Sequence, residues 1–246
     1  MVVFIVPLQS PEVSKDWEFV SRLALRTLAS LTAPGVDHSR VILVCNRRPN
    51  NFSQIEGVRL IEQTFSIPSR DNPRAGMEDK WAKVRRGLIE ASQFFPAYVM
   101  VVDADDCISR RLSEYVSSAK KVTGWYCADG YMYEEGASFL TTHSHIHSIC
   151  GSTSMVYCDN PIRSEEAAAE SLICRFGHST IVAEMQRRGT PLQALPFRAV
   201  VYIRGTSENH SGVSGKSRSA QLRNLFRTRR LSKARREEFS LRPLRS

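Results

Sequence analysis

Apolar runs free of any polar interruption, each followed by a breaker or an amphipathic helical stretch, constrain this chain more than anything else in it. Met1–Pro7 (MVVFIVP) reads as a buried strand closed by a proline, and Lys15–Leu31 then sets Phe19, Val20, Leu23, Leu28 and Leu31 at helical spacing. Val41–Cys45 is a second run, bounded by the turn-rich NRRPNN, and Val58–Ile61 is a short third. Glu78–Phe95 is amphipathic, with Trp81, Val84, Leu88 and Ile89 on one face, and Tyr98–Val102 is a fourth strand. Strands alternating with helices predict an α/β fold built on a mostly parallel sheet flanked by helices. Its right-handed crossovers leave ligands beyond the strands' carboxyl ends.

The fourth strand runs straight into acid. In VVDADDC, Asp103, Asp105 and Asp106 gather at the sheet's carboxyl edge, where like-charge repulsion is costly without a cation. Mg²⁺ or Mn²⁺, hard and oxygen-seeking, would neutralise them while keeping positions for water and phosphate oxygens, which offsets leaving-group charge when a diphosphate departs. The plainer reading is a solvated turn or a helix N-cap, to which Asp106 and Ser109 are suited. Lys80 and Lys83, near the start of the preceding helix, are placed to reach a donor's phosphates or sugar, as are Arg70 and Asp71.

After Asp106 the pattern changes. Leu112–Lys120 reads as a helix, Gly124–Tyr133 and Ser138–Tyr157 as short strands rich in Gly, Ser, Thr, Tyr and His, and His178–Arg188 as a helix ended by Gly189. Leu195–Ile203 closes with a strand. Histidines 143, 145 and 147 alternate, so on a strand they would share one face, as an acceptor-pocket wall, a polar exposed strand or a zinc site. Glu134, Glu135, Glu165 and Glu166 read as solvated.

Charge divides the chain more sharply than composition does. Residues 1–202 hold 22 Lys+Arg against 22 Asp+Glu, so the net +9 comes from residues 203–246, with 12 basic and 3 acidic. Within that part, SRSAQLRNLFRTRRLSKARREEF sets Leu222, Leu225, Phe226 and Leu231 among arginines, a cationic, partly amphipathic tail that can lie on anionic lipid, bind nucleic acid or an acidic partner, or stay disordered. Six widely spaced cysteines with no CxxC pair argue against zinc or redox motifs and for a reducing, cytoplasmic setting, membrane contact being at the inner face. No signal peptide and no membrane-spanning run is expected.

These residues resemble a family. VVDADD looks like the D-x-D motif of glycosyltransferases with the GT-A fold, and FIVPLQS followed by a long helix is similar to their opening strand against the nucleotide. FGHSTIVAEMQRRGTPLQALP resembles the segment written G-E-D-x-x-L-x-x-R-x-x-x-G and ending in L-P in many family-2-like members. The resemblance implies sugar transfer from a nucleotide diphosphate sugar, such as a UDP- or GDP-sugar, to the hydroxyl of a saccharide or lipid-linked acceptor. It also implies roles. Asp103 would approach the ribose or the metal and Asp105 would bind the metal directly; Pro7 and Leu8 would lie at the base and ribose edge, and Asn46 at the base. The chain departs from the pattern at Gly177-His178, where acidic residues are usual. His178 is then the candidate general base, the alternatives being an acceptor contact or a structural residue, and inversion or retention stays open. ENHSGVSGK resembles a late H-x-G-x-x-K, one residue longer, making His210 a candidate metal ligand and Lys216 a diphosphate contact; a plain Ser/Gly linker is the alternative.

The expected organisation is a GT-A domain over 1–216, with a nucleotide half (1–106) and an acceptor half (107–216), then a basic tail (217–246). A nucleotidyltransferase is the enzymatic alternative, but PLQSPEVSKDW lacks the glycine-rich, basic loop such enzymes carry after the first strand. A nucleic-acid-binding or partner-binding protein using the basic tail is the other, and a body with no net charge and no recognisable reader motif weighs against nucleic acid.

Overall fold

The computed structural model describes residues 1–32, 38–69, 72, 74–206 and 228–244. Its centre is a seven-stranded sheet. β1 (Val2–Pro7) pairs in parallel with β2 (Ser39–Cys45) on one side and β4 (Ala97–Val101) on the other, and β3 (Val58–Glu62) extends β2, also in parallel. Beyond β4 the direction reverses: β9 (Ser154–Cys158) is antiparallel to β4 and to β6 (Gly124–Tyr126), which in turn pairs in parallel with β10 (Gln193–Ala194). The order is β10-β6-β9-β4-β1-β2-β3.

Every residue of β1 is buried, which is why its sequence shows no polar alternation. Phe4 and Val6 pack on the side of α1 (Trp17–Leu31), while Val3 and Ile5 pack on the side of α2 (Ala75–Ala91). α1 begins two residues later than its periodicity predicts because Asp16 caps it, accepting from the Phe19 N–H at 2.9 Å. Gly87 lets α2 close onto β1: a methyl there would lie 2.5 Å from Ile5 Cγ2.

The second sheet, order β12-β8-β7-β11-β5, sits behind the acidic segment. It holds β5 (Cys107–Ile108), β7 (Asp129–Glu134), β8 (Phe139–Ser144), β11 (Val200–Arg204) and β12 (Thr228–Arg230), all antiparallel neighbours except β7 and β11. α3 (Arg111–Ser118) follows β5, and α4 (Glu165–Glu170), α5 (Leu172–Arg175) and α6 (Ile181–Arg187) come between β9 and β10. Gly189, at φ +73°, ends α6 as expected.

Several expectations are corrected. Ser138–Tyr157 is not one extended stretch: β8 stops at Ser144, His145 adopts φ 55°, and Ile146–Ser148 is a 3-10 turn, so histidines 143, 145 and 147 do not share a strand face. Glu135 is not solvated; it forms a 2.8 Å ion pair with Arg26 of α1, whose side chain is 2% exposed. The last strand starts at Val200 rather than Leu195, after a loop that contains Pro196. The expected tail is in part a built element: β12 pairs with β8, and α7 (Lys233–Glu238) carries Leu231, Phe239 and Leu241 into a core with Tyr133, Leu140 and Ile203. Leu222, Leu225 and Phe226 lie outside the described residues. No helix among the described residues is long and apolar enough to cross a membrane.

Candidate functional site

The acidic segment is the chain's crossing from one sheet to the other: β4 belongs to the first, β5 to the second, and residues 102–106 join them. Such a crossing must hold its backbone without ladder partners on both sides, and α1 supplies them. The Thr27 hydroxyl reaches the carbonyl oxygens of Ala104 (2.9 Å) and Asp106 (2.7 Å), and the Ile108 N–H donates to Ser30 Oγ at 3.1 Å.

The three carboxylates divide the work. Asp106 is fully buried; its Oδ2 accepts from Ser152 Oγ (2.6 Å) and Cys150 Sγ (3.2 Å), and its Oδ1 accepts from the Ile203 N–H (3.2 Å). It therefore ties the turn before β9, in the first sheet, to β11 in the second. Burial, with the charges of Asp105 and Asp103, pushes its carboxyl well above the ordinary range. Asp103 and Asp105 instead line a cleft of about 1190 Å³ at the carboxyl end of the parallel strands. The Asp103 N–H donates to Ser152 Oγ at 2.8 Å, and its carboxylate pairs with the Lys80 ammonium from α2. Burial alone would lower Lys80, but the Asp103 charge and hydrogen bond more than offset it, so the ammonium is held above its usual pKa. Among the described residues Asp105 forms no ion pair, although the charges of Lys80 and Arg26 act on it. Burial and then the Asp103 charge raise its carboxyl to about 7.

Gly151 completes this wall. A methyl built there would lie 2.5 Å from Asp103 Oδ2 and 3.2 Å from Lys80 Nζ, so the missing side chain is what gives the pair its room.

His178 lines the same cleft, as do Pro7 and Leu8. Burial and then the nearby Lys80 charge hold its imidazole below the ordinary value, which keeps it neutral near pH 7. The helix after it begins only at Ile181, so the neutrality comes from these surroundings and not from a helix end. Asn46 stands apart from the cleft wall: its Nδ2 donates to the Phe65 carbonyl at 2.9 Å and fixes the chain leaving β3. His210, Lys216, Arg70 and Asp71 lie outside the described residues.

Lys83, expected with Lys80 to reach phosphates, is instead paired within its own helix, and its partner Asp79 was not singled out by the sequence. Asp79 and Lys83, one turn apart on α2, form a 2.6 Å ion pair with side chains 6% and 0% exposed, and both line the cleft. Burial lowers the Lys83 pKa despite Asp79. Their i,i+4 spacing is visible in EDKWAK, but that pattern alone describes a solvated helix face equally well.

Among the described residues no group of three or more His, Cys, Asp or Glu side chains is arranged to hold a metal ion. What the cleft offers is two carboxylates, an all-oxygen set. That suits a hard divalent cation completing its shell with phosphate oxygens and water, since Mg²⁺ is commonly held by one or two carboxylates plus substrate phosphates.

No protein-family model matches the chain, and no curated protein does. Among solved structures, S. aureus TarS 1-349 is similar over 82% of this chain and 60% of its own, at 12% identity and a TM-score of 0.40. The same protein in complex with UDP-GlcNAc gives 82% and 58%, at 12% identity and 0.39. Francisella tularensis 2-C-methyl-D-erythritol 4-phosphate cytidylyltransferase (IspD) is similar over 80% and 90%, at 10% identity and 0.39. The chain thus spans about 60% of TarS 1-349. No activity follows from likeness at this level.

Proposed function

We propose that this chain is a GT-A glycosyltransferase that moves a sugar from a nucleotide diphosphate sugar to an acceptor hydroxyl with the help of Mg²⁺ or Mn²⁺. One observation carries the reading. Asp103 and Asp105 line the wall of one cleft, and among the described residues only Asp103 of the two has an ion-pair partner, Lys80, while burial and then the Asp103 charge raise the Asp105 carboxyl to about 7. A ligand that brings a divalent cation and a diphosphate relieves that repulsion.

Asp105, with Asp103, would hold the ion. When bound, it supplies positive charge against the diphosphate as the sugar–phosphate bond breaks. Lys80 is already held cationic at this wall and adds a second positive group beside the leaving phosphates. Pro7 and Leu8 close the cleft at the end of β1, where an apolar floor suits the nucleoside. His178, neutral and on the same wall, accepts the proton of the attacking hydroxyl. The loop after β1 contains no glycine, which weighs against a nucleotidyltransferase whose backbone would cradle the phosphates of a free nucleotide.

A thermal-shift panel of UDP, GDP and their sugars with and without Mn²⁺ tests this. A ligand at about a hundred times its Kd adds roughly 2.7 kcal/mol, which for a chain of this size is a rise of about 5–10 °C. A UDP or GDP compound should give that rise only with metal, and Asp105→Ala should abolish it. Equal shifts with and without metal in the parent would sink the metal assignment, and no shift with any nucleotide would sink the function.

A further inference from the structure

We propose that the edge formed by β12, the first turn of α7 and Phe139 is a docking surface for an anionic lipid bilayer. β12 is the outermost strand of the second sheet, so among the described residues no strand pairs with its outer edge. Arg230 stands directly opposite Phe139 in the antiparallel pair, and residues so placed share one face. That face points away from the core: the neighbouring Leu140 and Leu231 are buried, whereas Phe139 is 53% exposed. Arg235 Nη1 donates to the Arg230 carbonyl at 2.8 Å, which folds the start of α7 against the end of β12. The Lys233 side chain next to it is 91% exposed, its nearest carboxylate, Glu237, being 3.9 Å away.

The charge here is in net excess. Residues 228–244 carry six Lys+Arg and two Asp+Glu, and one of the two, Glu238, is occupied by the Ser109 hydroxyl at 2.7 Å. Among the described residues neither Arg230 nor Arg235 forms an ion pair with a carboxylate. The rest of the chain up to residue 202 is balanced, so the excess is local to this edge and the sequence before it, where LRNLFR (Leu222–Arg227) mixes arginine with large apolar side chains in the same way.

An exposed phenyl ring set among cations matches the boundary between lipid headgroups and acyl chains. Lys and Arg reach the phosphates while their stems and the ring enter the apolar layer. Single-stranded nucleic acid would call for successive stacking rings, and among the described residues Phe139 is the exposed ring at this edge.

The test is co-sedimentation of the full chain with vesicles of phosphatidylcholine alone or with about a third phosphatidylserine. Binding should require the anionic lipid and fall steeply with salt, because the Debye length is only about 8 Å at physiological ionic strength. Arg230→Glu with Lys233→Glu should weaken it about tenfold or more, and Phe139→Ser severalfold. Lys120→Glu with Arg163→Glu, which alters charge equally on exposed residues elsewhere, should leave it intact. Three outcomes overturn the proposal: no binding by the parent chain, equal loss in both double variants, or retention of single-stranded RNA in place of vesicles. Circular dichroism confirms that each variant is folded, and Phe139→Ser, at an exposed position, serves if the charge-reversed pair is not.

Discussion

At the scale of single residues, the site depends on a side chain that is absent. Gly151→Ala would push a methyl against Asp103 Oδ2, the free end of a side chain that can swing away, so the fold should bear the change while the carboxylate loses its place. We expect a melting temperature within about 2 °C of the parent, as for changes that bury no new polar group, and a fall of at least about tenfold in metal-dependent nucleotide affinity by titration calorimetry. Asp103, Asp105, Lys80, His178, Pro7 and Leu8 line one cleft; the aspartates and Lys80 stood out by their place around an apolar strand ending in acid, whereas Pro7, Leu8 and His178 stood out only through the resemblance. Gly151 and Ser152 did not stand out, since GST in a polar stretch looks like any turn until Asp103 and Asp106 are seen leaning on it. The same blindness hid the split between the three aspartates: nothing in DADD says that its last member faces inward to join two sheets.

At the scale of elements, α2 carries both the cation that meets Asp103 and a buried ion pair whose Lys83 ammonium lies 5.6 Å from the centre of the Phe65 ring. Lys83→Met would strip Asp79 of its partner while leaving it 91% buried, and an uncompensated buried charge costs about 3–5 kcal/mol. The double change Asp79→Leu with Lys83→Met should restore most of that loss, since apolar replacements of a buried pair are often neutral. Urea denaturation midpoints of the three proteins check this, and a double variant no more stable than the single would show that the pair orders the cleft wall. The strands and first helix of the parallel half follow from their apolar runs within a residue or two, whereas α2 starts three residues before and ends four residues short of the expected Glu78–Phe95, where a 3-10 turn over Ser92–Phe94 takes over. The second half was legible in part: α3 and the end of α6 lie close to expectation, but α4 and α5 are four to six residues long, too short for a helical period to declare itself, and the αL turn at His145 breaks a histidine alternation that looked like a strand.

At the scale of the molecule, the two sheets are one structure because the chain crosses at the acidic segment and returns at its end. Phe239 is fully buried and Leu241 nearly so beneath the second sheet, although they lie in the most basic part of the sequence, where arginines on either side conceal the apolar spacing. Phe239→Ala should cost about 3–5 kcal/mol and lower the global melting temperature in a single transition; a separate early transition that spares the rest would mean the C-terminal segment is an independent appendage. Thr206 is buried just beyond β11 and Thr228 opens β12, so the described chain stops and resumes on the same second sheet.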